Sequence, residues 1–506
     1  MLGQALEALV AERQAVREVL PLPVTPGASE RRNTEIVSLI RLHDDECSLA
    51  QHVLRQLQAV SGLADWQDWQ EKAGSLRSAA TAGLNDEQHQ AVLTALTSPL
   101  SVLTGGPGCG KTHTLRTLVD ILEGEGASIA LAAPTGKAAK RLEDSTGHPA
   151  QTVHRLLHPP EGDSLFDHES PLTTADMVIV DEASMLDVQL AAKLFRAVRT
   201  GCHLLLVGDI DQLPSVGPGR VLRDLLAVAA VPRTRLVQVY RQLDGSSAIV
   251  DAAHCILAGR MPAPHPNVVR LDLVDNPATD ARLLAEEVVD LVARRIPKAL
   301  AINPHEVQVL CPGKRHPAGA TDLNLRLQAE LNPAHPDKPE HHAEGRIYRL
   351  GDRVLQTRNR PRRGLNGIFN GATGTITAVN RETSEVTVTF EPDNEAIDYP
   401  FLDVAEELLH NYAMTVHRSQ GSEYPYVIIP MTCSQSLLLQ RNLLYTAVTR
   451  AQRAVLIIGH RKAVERALGN TEVRWRRTAL ETRLSDPGAV PSPPRPRRAD
   501  GQLAWD

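Results

Sequence analysis

Thr104-Gly105-Gly106-Pro107-Gly108-Cys109-Gly110-Lys111-Thr112 follows the apolar run Leu100-Ser101-Val102-Leu103 and precedes Leu115, Leu118, Ile121 and Leu122 at helical spacing. The stretch therefore joins a strand to a helix, the setting of a phosphate-binding loop. Glycines let the backbone turn its N–H groups around a polyphosphate, the helix N-terminus adds its dipole, and Lys111 supplies a mobile point charge. Thr112 offers its hydroxyl to a magnesium ion. Downstream, Met177-Val178-Ile179-Val180 is a continuous apolar run of the kind a strand buried on both faces shows, and it ends at Asp181-Glu182. Functional groups in open α/β sheets collect at the carboxyl ends of strands. Asp181 is thus placed to hold the metal, directly or through water, and Glu182 to orient or deprotonate an attacking water.

A chain of 506 residues exceeds one core and predicts roughly three domains. Its hydrophobic fraction of 42% and charged fraction of 23% are those of a soluble globular protein. No apolar stretch reaches the ~18 residues of a membrane span, and the first residues lack the pattern of a signal peptide, which predicts a cytoplasmic protein without membrane contact. The six cysteines are scattered, with no C-x-x-C pair, against both a disulfide framework and a zinc site. A net charge of -6 gives no sign of a nucleic-acid partner, so any such contact must come from a local basic surface.

Working outward, residues 1–80 predict a small α/β module, winged-helix-like in outline. An amphipathic stripe (Leu2, Leu6, Leu9, Val10) is followed by a break at Pro21 to Gly27, a strand at Ile36 to Ile40 and a helix over Leu49 to Leu57. Asn85 or Asp86 caps the helix that opens the nucleotide domain, and Gln88 reads either as an exposed helix residue or as an amide that recognises adenine. After a second strand, Ala133-Pro134-Thr135-Gly136-Lys137 suits a strand phosphate through backbone amides and Lys137, as does the stretch with Thr152 and His154; each reads equally as a plain helix cap. The polar segment 158–174 reads as a hairpin protruding beside that face, a pin for separating a duplex. His203 to Val207 is a further buried strand, after which Gln212 stands where it can sense a γ-phosphate. Short strands at Tyr348 to Gln356, Gly374 to Val379, Glu385 to Phe390 and Ala396 to Tyr399 predict a small β-barrel. Seven arginines between Arg346 and Arg363 face one acid, Asp352, and read as either a solvated loop or a DNA-facing surface. Residues 481–506 read as a disordered tail.

The ordered set GGPGCGKT, APTGKAAKRL, TVHRLL, VIVDEAS and GDIDQLPSVGPG, continued by Val239 to Gln242, Ala413 to Glu423 and Leu443 to Ala451, resembles the superfamily 1 helicases of the RecD type, from about Leu84 to Gly459. The resemblance is closer to the stand-alone enzymes than to the RecD subunit of RecBCD. It implies an α/β fold of two tandem RecA-like P-loop domains, 81–230 and 231–343 with 403–480, interrupted by an SH3-like insertion at 344–402. ATP with Mg2+ would sit between the domains, on Gly105, Gly106, Pro107, Gly108, Cys109, Gly110, Lys111 and Thr112, with Gln88 at adenine and Gly421 and Glu423 also on the nucleotide. Arg241 and Arg450 would reach across to the γ-phosphate as arginine fingers, completing the catalytic set of Lys111, Asp181, Glu182 and Gln212. Pro134, Thr135, Lys137, Thr152, His154, Thr415, His417, Ser419 and Gln420 would face single-stranded DNA. The implied activity is ATP-dependent 5′ to 3′ DNA unwinding in repair and recombination, on junctions with a 5′ overhang, by a monomer. Two other classes compete. A conjugative relaxase helicase should carry a nicking domain, and a non-catalytic DNA clamp should lack Glu182 or the arginines.

Overall fold

The computed structural model describes residues 2–23, 30–63, 83–157, 171–238, 246–266, 268–276, 279–360, 363–364, 367–391, 394–471, 476, 478–486 and 488. The chain begins with α1 (Leu2–Ala11), an antiparallel hairpin of β1 (Ala15–Pro23) and β2 (Arg31–Leu39), and α2 (Ile40–Leu57). The strand expected through Ile40 stops one residue earlier, and Ile40 starts the helix instead.

Lobe 1 follows: α3 (Asp86–Thr97), β3 (Leu100–Gly105), α4 (Lys111–Gly124), β4 (Ile129–Ala133), α5 (Gly136–Thr146), β5 (Ala150–Thr152), β6 (Met177–Val180), α6 (Val188–Ala197), β7 (His203–Gly208), α7 (Val221–Ala227) and β8 (Arg233–Leu236). Its six strands are all parallel, in the order β5-β4-β6-β7-β3-β8. The apolar runs serve two cores at once: Val178, Val180, Leu204 and Leu206 face one, Met177, Ile179, Leu205 and Val207 the other. Burial on both faces is why these strands read as unbroken hydrophobic runs. β8 extends the sheet beside β3, so lobe 1 reaches past the expected boundary at 230. Of the expected hairpin, 158–170 lie outside the described residues, and Pro171–Thr174 is a helical turn.

Among the described residues, the N-terminal module expected over 1–80 packs on lobe 1 rather than standing apart from it. Leu49, Ala50 and Val53 of α2 belong to the same core as Val178 and Leu204, with α2 lying along α6. Arg55 reinforces the junction by donating to the carbonyls of Phe195 and Val198, each at 2.7 Å. The helical stripe was legible in the sequence; the sheet domain that covers it is more than a hundred residues away.

Lobe 2 runs through β9 (Val269–Val274), β10 (Val307–Cys311) and α8 (Ala320–Leu331). An insertion then supplies β11 (Glu340–Ala343), β12 (Arg346–Arg349), β13 (Arg353–Gln356), β14 (Thr373–Asn380), β15 (Glu385–Phe390), β16 (Glu395–Pro400), α9 (Phe401–Glu407) and β17 (Leu408–His410). The lobe closes with β18 (Ala413–Thr415), β19 (Tyr424–Met431), α10 (Arg441–Val448), β20 (Ala451–His460) and α11 (Arg461–Gly469). Its parallel sheet has the order β18-β10-β19-β20-β9, and the insertion forms an antiparallel sheet ordered β16-β15-β14-β13-β17. Fully buried Asp352 fixes the insertion to lobe 2, accepting from Gln328 Nε2 of α8 at 2.5 Å, Asn332 Nδ2 at 2.7 Å and Tyr412 OH at 2.8 Å.

Several described arginines of the basic run are paired with acids. Arg360 Nε and Arg363 Nη1 donate to the buried carboxylate of Glu407 at 2.9 and 3.0 Å, Arg349 Nε meets Glu340 at 2.9 Å, and Arg358 pairs with Glu406. The counter-charges Glu406 and Glu407 come from α9, more than forty residues downstream of these arginines, where a local charge count does not find them. Arg362 lies outside the described residues. Glu407→Ala would remove the acid that Arg360 and Arg363 share and should destabilise the insertion. Loss of amide-exchange protection confined to β13–β16 would show it.

The C-terminal expectation also changes. Residues 481–485 of the expected disordered tail belong to a helix, α12 (Leu480–Ser485), whose Leu480 and Leu484 join the core shared by α2 and lobe 1. Arg483, almost fully buried, pairs with Glu18 and donates through Nε to Glu46 at 3.2 Å. Positions from 489 onward lie outside the described residues.

Candidate active site between the two lobes

The glycine loop closes the end of β3. Gly108 and Gly110 have φ of 74° and 83°, a region that favours glycine, and a Cβ on Gly105 would lie 2.9 Å from the Leu236 carbonyl. A side chain at Gly105 would strike the neighbouring strand β8. Lys111 opens α4, and its Nζ donates to the Gly105 and Gly106 carbonyls at 2.6 and 2.8 Å, folded onto its own loop. Thr112 follows, half-buried, while Cys109 is buried and burial pushes its thiol above the ordinary range.

Gln88 is buried rather than exposed on its helix. It forms a capping box with Asn85: Gln88 N donates to Asn85 Oδ1 at 2.7 Å and Asn85 N to Gln88 Oε1 at 3.1 Å.

At the end of β6, Asp181 Oδ1 accepts the Glu182 N–H at 2.8 Å, and Glu182 takes a left-handed φ of 51°. Such a conformation in a residue with a side chain is strain of the kind found at working sites. Burial, and then Asp181, push the Glu182 carboxyl above its usual range, while Arg450, Arg141 and Lys111 pull it back. Those three cations come from α10's end, α5 and the glycine loop, so both lobes contribute charge to one carboxylate. Arg450 itself is buried and held by the Thr446 carbonyl at 3.2 Å, the Ser422 carbonyl at 3.2 Å and Thr449 Oγ1 at 3.4 Å. Arg241 lies outside the described residues.

The loop after β7 is stitched to lobe 2. Asp209 Oδ2 accepts from Tyr445 OH at 2.7 Å and from Gln212 Nε2 at 3.3 Å. Leu213 N donates to Thr446 Oγ1 at 2.8 Å, Gln420 Nε2 to the Leu213 carbonyl at 2.8 Å, and Asn442 Nδ2 to the Gln212 carbonyl at 3.3 Å. Gln212 Oε1 is buried and has no protein partner, an acceptor left over at the lobe junction. Sequence reading assigned no role to Asp209, Tyr445, Asn442 or Thr446. Tyr445 and Thr446 stand in the quoted stretch Leu443 to Ala451, which was the only signal for them.

The strand-facing residues divide. Thr135 Oγ1 caps α5 by accepting Ala138 N at 3.3 Å, and Thr152 Oγ1 accepts Arg155 N at 3.2 Å, so both hydroxyls serve as helix caps. Pro134 is half-buried beside Thr135, and His154 is exposed. Lys137 Nζ stands 5.0 Å over the Tyr424 ring, and Arg141 meets Glu423 at 2.7 Å across the lobes. A Cβ on Gly421 would come within 3.0 Å of Ala138 Cβ, so Gly421 and Glu423 abut α5. In lobe 2, Thr415 is buried and His417 exposed; Ser419 Oγ donates to the Val416 carbonyl at 2.8 Å, and Gln420 is the lobe-junction donor described above. A cavity of about 900 Å³ lies among α5, the insertion and residues 421–425, with Lys137, Arg141, Thr152, Phe369 and Tyr424 on its walls.

Two parallel-sheet lobes that share a phosphate cradle, an acid pair and an arginine from the second lobe define a superfamily 1 motor fold. An AAA domain model matches residues 83–270, the SH3 domain of ATP-dependent RecD-like DNA helicases matches 323–390, and a UvrD-like helicase C-terminal domain matches 410–458. The ATP-dependent RecD2 DNA helicase of Deinococcus radiodurans is 36% identical over 489 residues, covering 91% of this chain and 64% of that protein. The RecBCD enzyme subunit RecD of Mycolicibacterium smegmatis is 35% identical over 448 residues, covering 80% of this chain and 76% of the subunit. A Bacteroides Pif1 helicase solved in complex with ADP-AlF3 and ssDNA is 20% identical, with a TM-score of 0.46 over 76% of this chain and 94% of that one. The chain belongs to the RecD-like family of superfamily 1 helicases.

Proposed function

We propose that the chain is an ATP-dependent DNA helicase that moves 5′ to 3′ along a single strand and opens duplexes ahead of it. The observation that carries this reading is the convergence of Arg450 and Arg141 on Glu182, with the lobes joined through Asp209, Leu213 and Gln420. A triphosphate in that cleft touches both lobes, so its hydrolysis changes how they are held together.

The donor set suits the ligands. Backbone N–H groups of the glycine loop and the Lys111 ammonium match phosphate oxygens, and the unpartnered Gln212 Oε1 can accept from an attacking water. Thr112 and Asp181 would hold magnesium, which supplies positive charge at the phosphates. Glu182 takes the proton as the water oxygen attacks the terminal phosphorus. Arg450 meets the charge that leaves with ADP. Gln88, oriented by its cap, would read adenine, and Arg241 would be the second lobe-2 cation. The cavity beside Lys137 and Thr152 is the proposed strand path.

Strand displacement by the purified chain alone, on duplexes with a 5′ or a 3′ overhang, tests this. Displacement restricted to the 5′ overhang is expected; displacement only from the 3′ overhang would reverse the polarity. A second reading, a subunit that works within a RecBCD-type complex, draws on the match to three quarters of the RecD subunit's length. It expects ATP turnover by the isolated chain without displacement, restored when the partner subunits are added.

A further inference from the structure

Aromatic side chains are scarce in this chain, at 3% of residues, and most of its five phenylalanines have a structural post. Phe195 and Phe390 are buried in cores, Phe401 stacks on His341 with ring centroids 4.0 Å apart, and Phe166 lies outside the described residues. Phe369 is different. Its neighbours Ile368 and Ala372 pack with the core of the insertion, but among the described residues Phe369 joins no such cluster and stays half-buried on the wall of the 900 Å³ cavity.

The ring reaches across to lobe 1. A Cβ built on Gly136 would lie 2.8 Å from Phe369 Cβ and 3.2 Å from Cγ and Cδ2, so the seat exists because Gly136 has no side chain. Gly136 is the first residue of α5 and stands in the stretch Ala133 to Lys137 that suits a strand phosphate. The loop that carries the ring is fixed on both sides. Arg360 N donates to the Ile368 carbonyl at 2.6 Å and Ile368 N to the Arg360 carbonyl at 3.0 Å, while Gly371 N donates to the Gln356 carbonyl and Asn370 N to Asn359 Oδ1, each at 2.9 Å. An aromatic ring held this way is placed before a ligand arrives.

The charges on the cavity walls set which way a strand lies in it. The lobe-1 wall has the N-terminus of α5 with Lys137 and Arg141, and Glu143 and Asp144 farther along that helix are paired with Lys140. On the wall made by the insertion the charged residues are Glu391, Glu395 and Arg353, and Arg353 is bonded to the His305 carbonyl at 3.2 Å and to Gln308 Oε1 at 3.3 Å. Phosphates are drawn to the start of α5 and repelled by the acids opposite. The bases of the strand then turn toward the insertion, where Phe369 stands.

We infer that Phe369 is a strand-binding residue, a stacking platform that takes a base of the single strand while the start of α5 takes the adjoining phosphate. The inference rests on the helicase reading and deepens it by giving the insertion a part in holding the strand. Every base has a π-face, so a ring of this kind grips without reading sequence. Its contribution is separate from the phosphate contacts, which carry the salt dependence.

The test measures equilibrium binding of oligodeoxythymidylate, and of an abasic oligonucleotide of the same length, to the full chain and to Phe369→Ala, Phe369→Leu and Phe369→Tyr at several salt concentrations. Phe369→Ala should weaken oligodeoxythymidylate binding about 5- to 100-fold, the range for loss of one stacked base, with the slope against salt unchanged. On the abasic strand, parent and Phe369→Ala should agree within about twofold. Phe369→Leu keeps an apolar side chain against Gly136 without a π-face and should behave as Phe369→Ala does; Phe369→Tyr should match the parent. Thermal unfolding is recorded for each, and if Phe369→Ala lowers Tm, the comparison of Leu with Tyr carries the same test. Parent-like affinity in Phe369→Leu would overturn the inference, as would an equal loss on both oligonucleotides. A parent that binds neither oligonucleotide would overturn the helicase reading and the stacking with it, whereas a parent that binds oligodeoxythymidylate no better than Phe369→Ala does would remove the stacking alone.

Discussion

Arg450→Ala should cut strand-stimulated ATP turnover by about 10³-fold or more, the range lost when an arginine finger is withdrawn from phosphoryl transfer. The guanidinium is buried, and the Thr446 and Ser422 carbonyls and Thr449 Oγ1 fix it before any substrate arrives. Preorganised charge of this kind stabilises a transition state without reorganising when the reaction occurs. Arg450→Lys should recover little. A compact ammonium cannot reach the same three acceptors, and the lost contacts loosen α10, which also carries Tyr445 and Thr446. ATP affinity should change far less than kcat, since the glycine loop and Lys111 supply most of the ground-state contacts. Equilibrium binding of a fluorescent ATP analogue separates the two quantities. Turnover within threefold of the parent would remove Arg450 from the reaction and leave the second lobe without a described role in hydrolysis.

How much of this was legible in the sequence depended on the range over which each feature is determined. The glycine loop, the buried strands of lobe 1 and the acid pair are local: a strand, a turn and a helix within about a dozen residues specify them, and the structure has them where the spacing put them. The short strands of the insertion were legible for the same reason, and Val386, Val388 and Phe390 point to one core; that the insertion is SH3-like came from the family resemblance. Features that depend on pairing across the chain were not legible. β8 carries nothing in its four residues to say which lobe it joins, and only its register with β3 decides. Glu407 pairs with Arg360 and Arg363 from a separate helix, so part of a basic run in sequence became ion pairs around one buried carboxylate. Ser419 and Gln420 sit inside a motif that suggests contact with a strand, yet their side chains bond to protein carbonyls. In that stretch His417 is exposed and Arg418 half-buried between the buried pairs Thr415-Val416 and Ser419-Gln420, and Val416–Ser419 form a short 3-10 turn.

Glu182→Gln carries the chemistry prediction furthest, because it changes one atom and preserves shape. Turnover should fall by about 10³-fold, within the range for loss of a general base, while ATP binding and the fold persist. The pH profile separates a base from a residue that only shapes the site. Glu182 accepts a proton only when ionised, so activity rises with pH through its pKa. Burial and the neighbouring Asp181 move that pKa upward, and the acid limb of kcat should therefore lie above the ordinary carboxylate range. Removing a cation that lowers it must shift the limb further: in Arg450→Ala or Arg141→Ala the residual activity should turn on at higher pH than in the parent. In Glu182→Gln the limb should vanish, leaving slow turnover that is flat across the same interval. A limb that stays in place in Glu182→Gln would assign it to another group, and the raised carboxyl at the end of β6 would then be strain without a part in proton transfer.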